Sequence, residues 1–163
     1  YWNLIFFFTP YRFTNFIIKK IVFKQNLSLL AYTTNPIRVR YSDTDQMGYM
    51  HHSNYLRFFE IARLEWLSAL KISYLEMEKN GIWLPVVSAK VAFKAPSYFD
   101  DELVVTVHLE APPTASLLFS YQIHNQHQKQ VCKGVTKLAF LDAQRQRPRR
   151  CPESLYKALT PYF

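Results

Sequence analysis

A polar segment from Tyr41 to Tyr55 gathers residue types that can carry out acid–base chemistry. Two acids, one glycine and two adjacent histidines occur within it: Asp43, Asp45, Gly48, His51 and His52. A carboxylate can act as a nucleophile or as a general base toward water, and backbone N–H groups at a helix start can stabilise an oxyanion. No ordinary core needs such a density of polar groups. The segment is therefore typical of an active site built where an irregular loop enters a helix.

His51 and His52 could alternatively bind a metal ion. Adjacent histidines point in different directions in most backbones, and no cluster of Cys or His accompanies this pair. We therefore expect no metal site. The two cysteines of the chain, Cys132 and Cys151, are too few for a disulfide framework, which favours a reduced, cytoplasmic setting.

The length and composition of the chain predict one packed domain. A chain of 163 residues can bury a sizeable core, and the aromatic content of 17% excludes disorder over most of it. The net charge of +8 is uneven, because residues 1–36 contain basic residues and no acid. The remainder is only mildly basic, and an arginine cluster at Arg145–Arg150 could meet phosphates or form a solvated tail. It lacks interleaved aromatics and any recognisable motif, so we expect no nucleic-acid binding.

Residues 1–34 differ in character from the rest. Their longest apolar run, Leu4–Phe8, is far shorter than the roughly 18–20 residues that a membrane-spanning helix needs. No secretory cleavage site is evident. We interpret residues 1–34 as an extension outside the domain, either part of a longer chain or translated upstream sequence, and place the domain at 35–163. A targeting peptide or an interfacial anchor is the alternative.

The elements that must position the polar segment follow from hydrophobic periodicity. Residues 37–41 alternate as a half-buried strand, and a helix is predicted to begin near Ser53 or Asn54, both good N-cap residues. Apolar residues recur along this helix at spacings of three and four: Tyr55, Phe59, Ala62, Trp66 and Ala69 or Leu70. A second short helix is predicted to end at Asn80-Gly81.

The remaining sequence predicts strands separated by short turns, over 82–93, 103–110, 117–124 and 131–141. Tight connections make these strands antiparallel, and the long helix must bury its apolar stripe against them. The predicted fold class is α+β, with an antiparallel sheet of about five strands wrapped around one long central helix.

This order of elements, together with the polar segment, resembles the hot-dog fold. More narrowly, the chain resembles the 4-hydroxybenzoyl-CoA thioesterase family, in the branch of YbgC-type acyl-CoA thioesterases. The residues that carry the resemblance are Asp43-Thr44-Asp45, Gly48, His52, Tyr55, Glu60 and Arg63, followed by Val87-Ser88, Phe93-Lys94-Ala95-Pro96 and Asp100–Leu103. It covers about residues 36–160. The resemblance implies hydrolysis of acyl-CoA to free acid and CoA, with no cofactor because CoA belongs to the substrate.

The resemblance also implies roles for individual residues of the polar segment. Asp45 matches the catalytic aspartate of the family and would attack the thioester or activate water; its structural alternative is to cap a turn. The backbone N–H of His52 would polarise the thioester carbonyl, and Gly48 would allow close approach. Asp43 is interpreted as a residue that organises the loop.

Glu60 and Arg63, three residues apart on the predicted helix, can form an ion pair. The alternative is that Glu60 orients water or supplies the base, as some relatives place a catalytic Glu on this helix.

Substrate contacts are expected from a further group of residues. Tyr55 lies on the apolar stripe, where packing is its main role and its hydroxyl can face the acyl pocket. Ser88 can contact the acyl group or the pantetheine arm, or it can serve packing alone. The basic side chains of Lys90, Lys94 and Arg145 are candidates for the CoA phosphates.

Hot-dog domains commonly bind their ligand between protomers, and an exposed antiparallel edge favours such pairing, so we expect a homodimer or homotetramer. Two other functions remain open from the sequence. One is a hot-dog hydratase or dehydratase acting on acyl-CoA or acyl carrier protein, in which a histidine and an acid would work as a pair. The other is a non-catalytic acyl-CoA-binding module.

Overall fold

The computed structural model describes residues 30–163. The expected extension is therefore outside the described residues except for its last five positions. Residues 31–34 do not lie outside the domain as expected. Strand β1 (Ala31–Thr33) pairs antiparallel with β5 (Glu102–Leu109), and the buried Thr34 accepts a hydrogen bond from the N–H of Val105 at 3.1 Å. The boundary lies upstream of residue 35 because this segment completes one edge of the sheet.

The long helix α1 (Ser53–Ala69) begins and ends where the periodicity predicts. Its inward face is almost free of solvent exposure, at 3% or less for Tyr55, Phe58, Phe59, Ala62 and Trp66. A short helix α2 (Tyr74–Lys79) follows, with Ser73 as its N-cap, and a third helix α3 (Glu153–Leu159) lies near the C-terminus. Two 3-10 turns cover Tyr41–Asp43 and Thr160–Tyr162.

The main sheet of the described residues has six strands rather than about five. The strands are β1, β2 (Ile37–Arg38), β4 (Val86–Phe93), β5 (Glu102–Leu109), β6 (Ser116–Asn125) and β7 (Gln130–Ala139). Their order across the sheet is β1-β5-β6-β7-β4, with β2 also pairing to β5, and all pairings are antiparallel. A smaller sheet joins β3 (Ile82–Trp83), β8 (Leu141–Asp142) and β9 (Arg147–Pro148).

Alternation along the central strands determines which sheet face meets α1. The inward side chains of β5 and β6 are 4% exposed or less: Leu103, Val105, Val107, Leu109, Leu117, Phe119, Tyr121 and Ile123. They pack with the inward face of α1 into one hydrophobic core. The α+β architecture of a sheet wrapped around one helix is thus the predicted one.

Strand β4 is a free edge of this sheet within the described chain. It pairs with β7 on one side only, and Val86–Lys90 are all exposed. The Val86 end of β4 follows β3 of the smaller sheet. The Phe93 end leads to the loop beside the start of α1.

Candidate active site

The loop between β2 and α1 forms a small hairpin with Asp45 at its turn. Thr44 and Met50 are bridge partners, the Asp45 N–H donates to the Tyr49 carbonyl at 2.8 Å, and the Gly48 N–H donates to the Asp45 carbonyl at 2.9 Å. Gly48 has φ +78°, a left-handed conformation that glycine adopts without strain. A Cβ on Gly48 would meet no atom within 4 Å, so it is the turn that requires glycine here.

Asp45 is half-buried, and one oxygen of its carboxylate accepts a backbone hydrogen bond. Its Oδ1 accepts a hydrogen bond from the Met47 N–H at 2.9 Å. Asp45 thus caps the turn, as the structural alternative expected, and also lines a cavity at the start of α1. The same residue therefore caps the turn and lines the cavity, and the two roles are compatible.

His52 stands at the N-cap position of α1, with φ −55° and ψ −30° and no capping bond from its side chain. The preceding N–H, of His51, donates to the Asp43 carbonyl at 2.8 Å. Within residues 30–163 no acceptor is bound to the His52 N–H. A backbone donor at the positive end of a helix of 17 residues is suited to hold an oxyanion.

One cavity of about 430 Å³ brings together four of the sequence-predicted residues: Asp45, His52, Tyr55 and Lys94. The rest of its lining is Met47, Tyr49, Met50, Phe93, Ala95 and Pro96. The lining thus combines a carboxylate and a helix start with apolar side chains. This arrangement can hold a polarised carbonyl beside a carboxylate.

Tyr55 also lines this cavity, and its side chain is held by two contacts. It is 3% exposed, its hydroxyl donates to Ser97 Oγ at 3.3 Å, and its ring meets Phe93 edge-on with centroids 5.2 Å apart. Burial raises the pKa of the Tyr55 hydroxyl above its usual value, so the group remains a neutral hydrogen-bond donor.

Ser97 is a residue of this site that sequence reasoning missed. It is fully buried, and its carbonyl accepts the Met50 N–H at 2.8 Å, which fastens the hairpin to the segment after β4. A signal existed, since Ser97 directly follows the Lys94-Ala95-Pro96 motif. Its contact with Tyr55 joins residues 42 positions apart, which no local pattern reveals.

Glu60 and Arg63 do not form the expected ion pair, since no salt bridge joins them among the described residues. Arg63 is 8% exposed and donates from Nη1 to the Tyr121 hydroxyl at 3.1 Å, whereas Glu60 is exposed. The helix turns Arg63 into the core and leaves Glu60 at its edge. Both line a separate cavity of about 120 Å³, so Glu60 does not share the Asp45 cavity within one chain.

Three other candidate residues lie away from the Asp45 cavity within one chain. Ser88 and Lys90 are exposed on the free edge strand β4. Arg145 lies in the turn between β8 and β9, where its N–H donates to Asp142 Oδ1 at 2.9 Å. Because β8 pairs with β3, before the start of β4, Arg145 belongs to the end of β4 opposite Phe93.

Within residues 30–163, no group of three or more His, Cys, Asp or Glu side chains is arranged to hold a metal ion. The His51 and His52 rings lie against each other, with centroids 4.1 Å apart. None of the helices in this part of the chain has the length and apolar character that crossing a membrane requires.

Comparison with known proteins gives a consistent result. Residues 39–159 match the model of the Thioesterase-like superfamily. The acyl-CoA thioester hydrolase YbgC of Escherichia coli O157:H7 is 28% identical over 120 residues, which is 74% of this chain and 90% of YbgC. YneP of Bacillus subtilis (strain 168) is 36% identical over 89 residues, which is 55% of this chain and only 64% of YneP.

A solved structure supports the same fold. The DHNA-CoA thioesterase of Staphylococcus aureus is 30% identical, with a TM-score of 0.77 over 80% of this chain and 89% of that one. The expected hot-dog architecture and the resemblance to YbgC-type proteins are thereby confirmed.

Proposed function

Because the chain belongs to the Thioesterase-like superfamily, we propose that it hydrolyses acyl-CoA thioesters to the free acid and CoA. One observation carries the proposal: the Asp45 carboxylate and the helix start at His52 line the same cavity. The relatives named above as acyl-CoA thioester hydrolase and DHNA-CoA thioesterase support this class of substrate.

The proposed reaction uses both groups at the thioester carbonyl, one at its carbon and the other at its oxygen. Asp45 adds to the carbonyl carbon, or removes a proton from a water that does so. The oxyanion that forms is held by the His52 N–H and by the positive end of α1. Collapse of the intermediate breaks the C–S bond, and the CoA thiolate leaves and takes up a proton. When Asp45 adds directly, water then hydrolyses the mixed anhydride and regenerates the carboxylate.

Substrate binding is assigned to the remaining residues of the cavity. The Tyr55 hydroxyl and the apolar side chains of Phe93 and Met50 would contact the acyl group. Lys94 lines the cavity and is exposed to solvent, so its ammonium group can pair with a CoA phosphate.

We further propose that the active unit is a homodimer joined through the free edge of β4. Its exposed backbone groups and the exposed side chains of Val86 and Val87, at 48% and 55%, are suited to pair with a second copy. Antiparallel pairing about a two-fold axis would set the Val86 end of one strand beside the Phe93 end of the other. Ser88, Lys90 and Arg145 of the partner would then approach the Asp45 cavity. Two such dimers could form a tetramer.

A cytoplasmic location is also proposed, on the ground that Cys132 and Cys151 are both free thiols. Detection of the protein in fractionated cells of its source tests this point. Its recovery outside the cytoplasmic fraction would contradict it.

The test of the activity is release of free thiol from a panel of short-chain, long-chain and aromatic acyl-CoAs. We expect thiol release at a rate that depends on the acyl group, and the panel would identify that group. Loss of enoyl absorbance without thiol release would instead indicate the hydratase. Binding of acyl-CoA with neither change would indicate a non-catalytic module.

A further inference from the structure

The buried Asp43 is a centre of hydrogen bonds just upstream of Asp45. It is 5% exposed, and its side-chain Oδ2 accepts the Arg40 N–H at 2.9 Å. Its main-chain carbonyl accepts both the His51 N–H and the Asn54 Nδ2, each at 2.8 Å. Asp43 therefore joins the base of the hairpin to the first turn of α1.

Arg57, on the next turn of α1, holds two members of this network with one nitrogen. Its Nη1 donates to Asp43 Oδ1 at 3.2 Å and to Asn54 Oδ1 at 2.9 Å. Asn54 is 7% exposed and the side chain of Asp43 is equally buried, whereas the side chain of Arg57 is 62% exposed. A single exposed cation thus keeps two buried polar groups in one arrangement.

We propose that Arg57 is a positioning residue for the hydrolysis proposed above. It does not line the Asp45 cavity, so it acts through Asp43 and Asn54 rather than on the substrate. Asp45 follows Asp43 by two residues, and His52 follows the bonded His51 by one. Arg57 links Asp43, which precedes the Asp45 carboxylate, to Asn54, which follows the His52 N–H. It therefore holds together the two chain segments that carry the reacting groups.

The expected consequence is on catalysis more than on stability. The Arg57 side of the ion pair is open to solvent, and the buried Asp43 keeps the hydrogen bond from the Arg40 N–H when Arg57 is replaced, so we expect the fold to be retained. A displacement of a reacting group by about 1 Å can lower the rate by about a hundredfold. Loss of Arg57 should therefore lower kcat while the apolar cavity wall, and with it KM, is largely retained.

The test compares Arg57→Met, Arg57→Lys and the control Lys157→Met. Lys157 is also an exposed cation, paired with Glu153 at 2.6 Å on α3, away from the cavity. We expect Arg57→Met to lower kcat about 10- to 100-fold with KM changed less than about threefold. Arg57→Lys should recover part of the loss, because an ammonium group also donates several hydrogen bonds from one nitrogen. The control should match the unmodified protein.

A second measurement, hydrogen exchange at the His51 amide followed by NMR, does not depend on activity. We expect the exchange rate of the His51 amide hydrogen to rise at least about tenfold in Arg57→Met and to stay unchanged in Lys157→Met. An unaltered kcat in Arg57→Met, or an unaltered His51 amide, would overturn the positioning role. A merely structural role would lower the melting temperature and leave the kcat of the folded protein unchanged. Failure of the unmodified protein to release thiol from any acyl-CoA would refute the hydrolase, and the His51 amide would still decide the role of Arg57.

Discussion

Phe59 of α1 lies so close to Gly134 of β7 that a Cβ built on Gly134 would come 2.5 Å from Phe59 Cε2. The same ring stacks on Tyr121 of β6, with centroids 4.2 Å apart and planes 14° from parallel. Phe59 is 0% and Tyr121 1% exposed. Because residue 134 has no side chain, α1 can pack directly against the sheet at this point. This contact fixes the distance between the sheet and the helix whose first turn lines the Asp45 cavity.

Gly134→Ala should destabilise the protein by about 1–3 kcal/mol, because the added methyl group overpacks a full core. Replacement of glycine by alanine within a strand would otherwise stabilise by about 0.5–1 kcal/mol. A fall in the free energy of unfolding would therefore indicate overpacking against Phe59, and a rise would indicate that the site has room for a methyl group. Thermal denaturation measures it as a fall in Tm of several degrees.

A second variant locates the cause of that loss. Combining Gly134→Ala with Phe59→Leu removes the ring that the new methyl group meets, so the two losses should not add. Strictly additive losses, or an alanine variant as stable as the original, would contradict the close contact.

Asp45→Asn should lower kcat by about 10²–10⁴-fold while the protein stays folded. The amide oxygen can still accept the Met47 N–H, so the turn is retained while the charge of the carboxylate is lost. Asp101→Asn is the matched control, since Asp101 Oδ2 also caps a turn, through the Tyr98 N–H, and Asp101 does not line the cavity. A near-normal rate for Asp45→Asn would show that another group carries the chemistry.

The thiols of Cys132 and Cys151 should be unreactive in the folded protein. Burial raises the pKa of each from 9.0 to about 12, so the thiolate fraction at pH 8 falls on the order of a thousandfold. A thiol reagent at pH 8 should label both rapidly in guanidinium chloride and neither in buffer. Fast labelling of the native protein would show that one site opens.

The same shifts predict how stability changes with pH. The folded pKa of each thiol lies above the unfolded value, so the folded state holds the proton more tightly. The stabilisation is complete below about pH 9 and is lost as pH rises toward 12. Urea denaturation between pH 8 and 10.5 of the protein and of Cys132→Ala should show a smaller decline with pH in the variant.

Two truncated chains test the upstream boundary of the domain. A chain that begins at residue 35 lacks the pairing of β1 with β5 and the bond from the Thr34 N–H to the Val105 carbonyl. It also lacks the bonds from the Tyr32 hydroxyl to Glu65 and from the Val105 N–H to Thr34. Relative to a chain that begins at residue 30, it should lose more than about 2 kcal/mol, since each lost bond contributes about 1 kcal/mol. Denaturant unfolding measures the difference. Equal stability would show that β1 contributes nothing to the fold.

Local sequence patterns predicted the long helix, the central strands and the faces that they bury, but not β1, β3, β8 or β9 as separate strands. The three- and four-residue spacing from Tyr55 to Trp66 predicted α1, and the alternation along Leu103–Leu109 predicted the inward face of β5. Both features are local, because periodicity follows directly from the geometry of a helix or a strand. The order of the elements then restricted the architecture to a sheet wrapped around one helix. The motif around Asp45 indicated that the loop before this helix would carry the active site.

Which polar groups meet depends on the packing of segments that are far apart in the chain. Arg63 is bonded to Tyr121, 58 positions away, instead of its helix neighbour Glu60, because the packing of α1 turns the guanidinium group into the core. Asp45, His52 and Lys94 share a cavity, whereas Arg145 belongs to the other end of β4. Contacts between distant segments depend on how the sheet curves and how α1 is seated on Gly134, and no spacing within one segment encodes that.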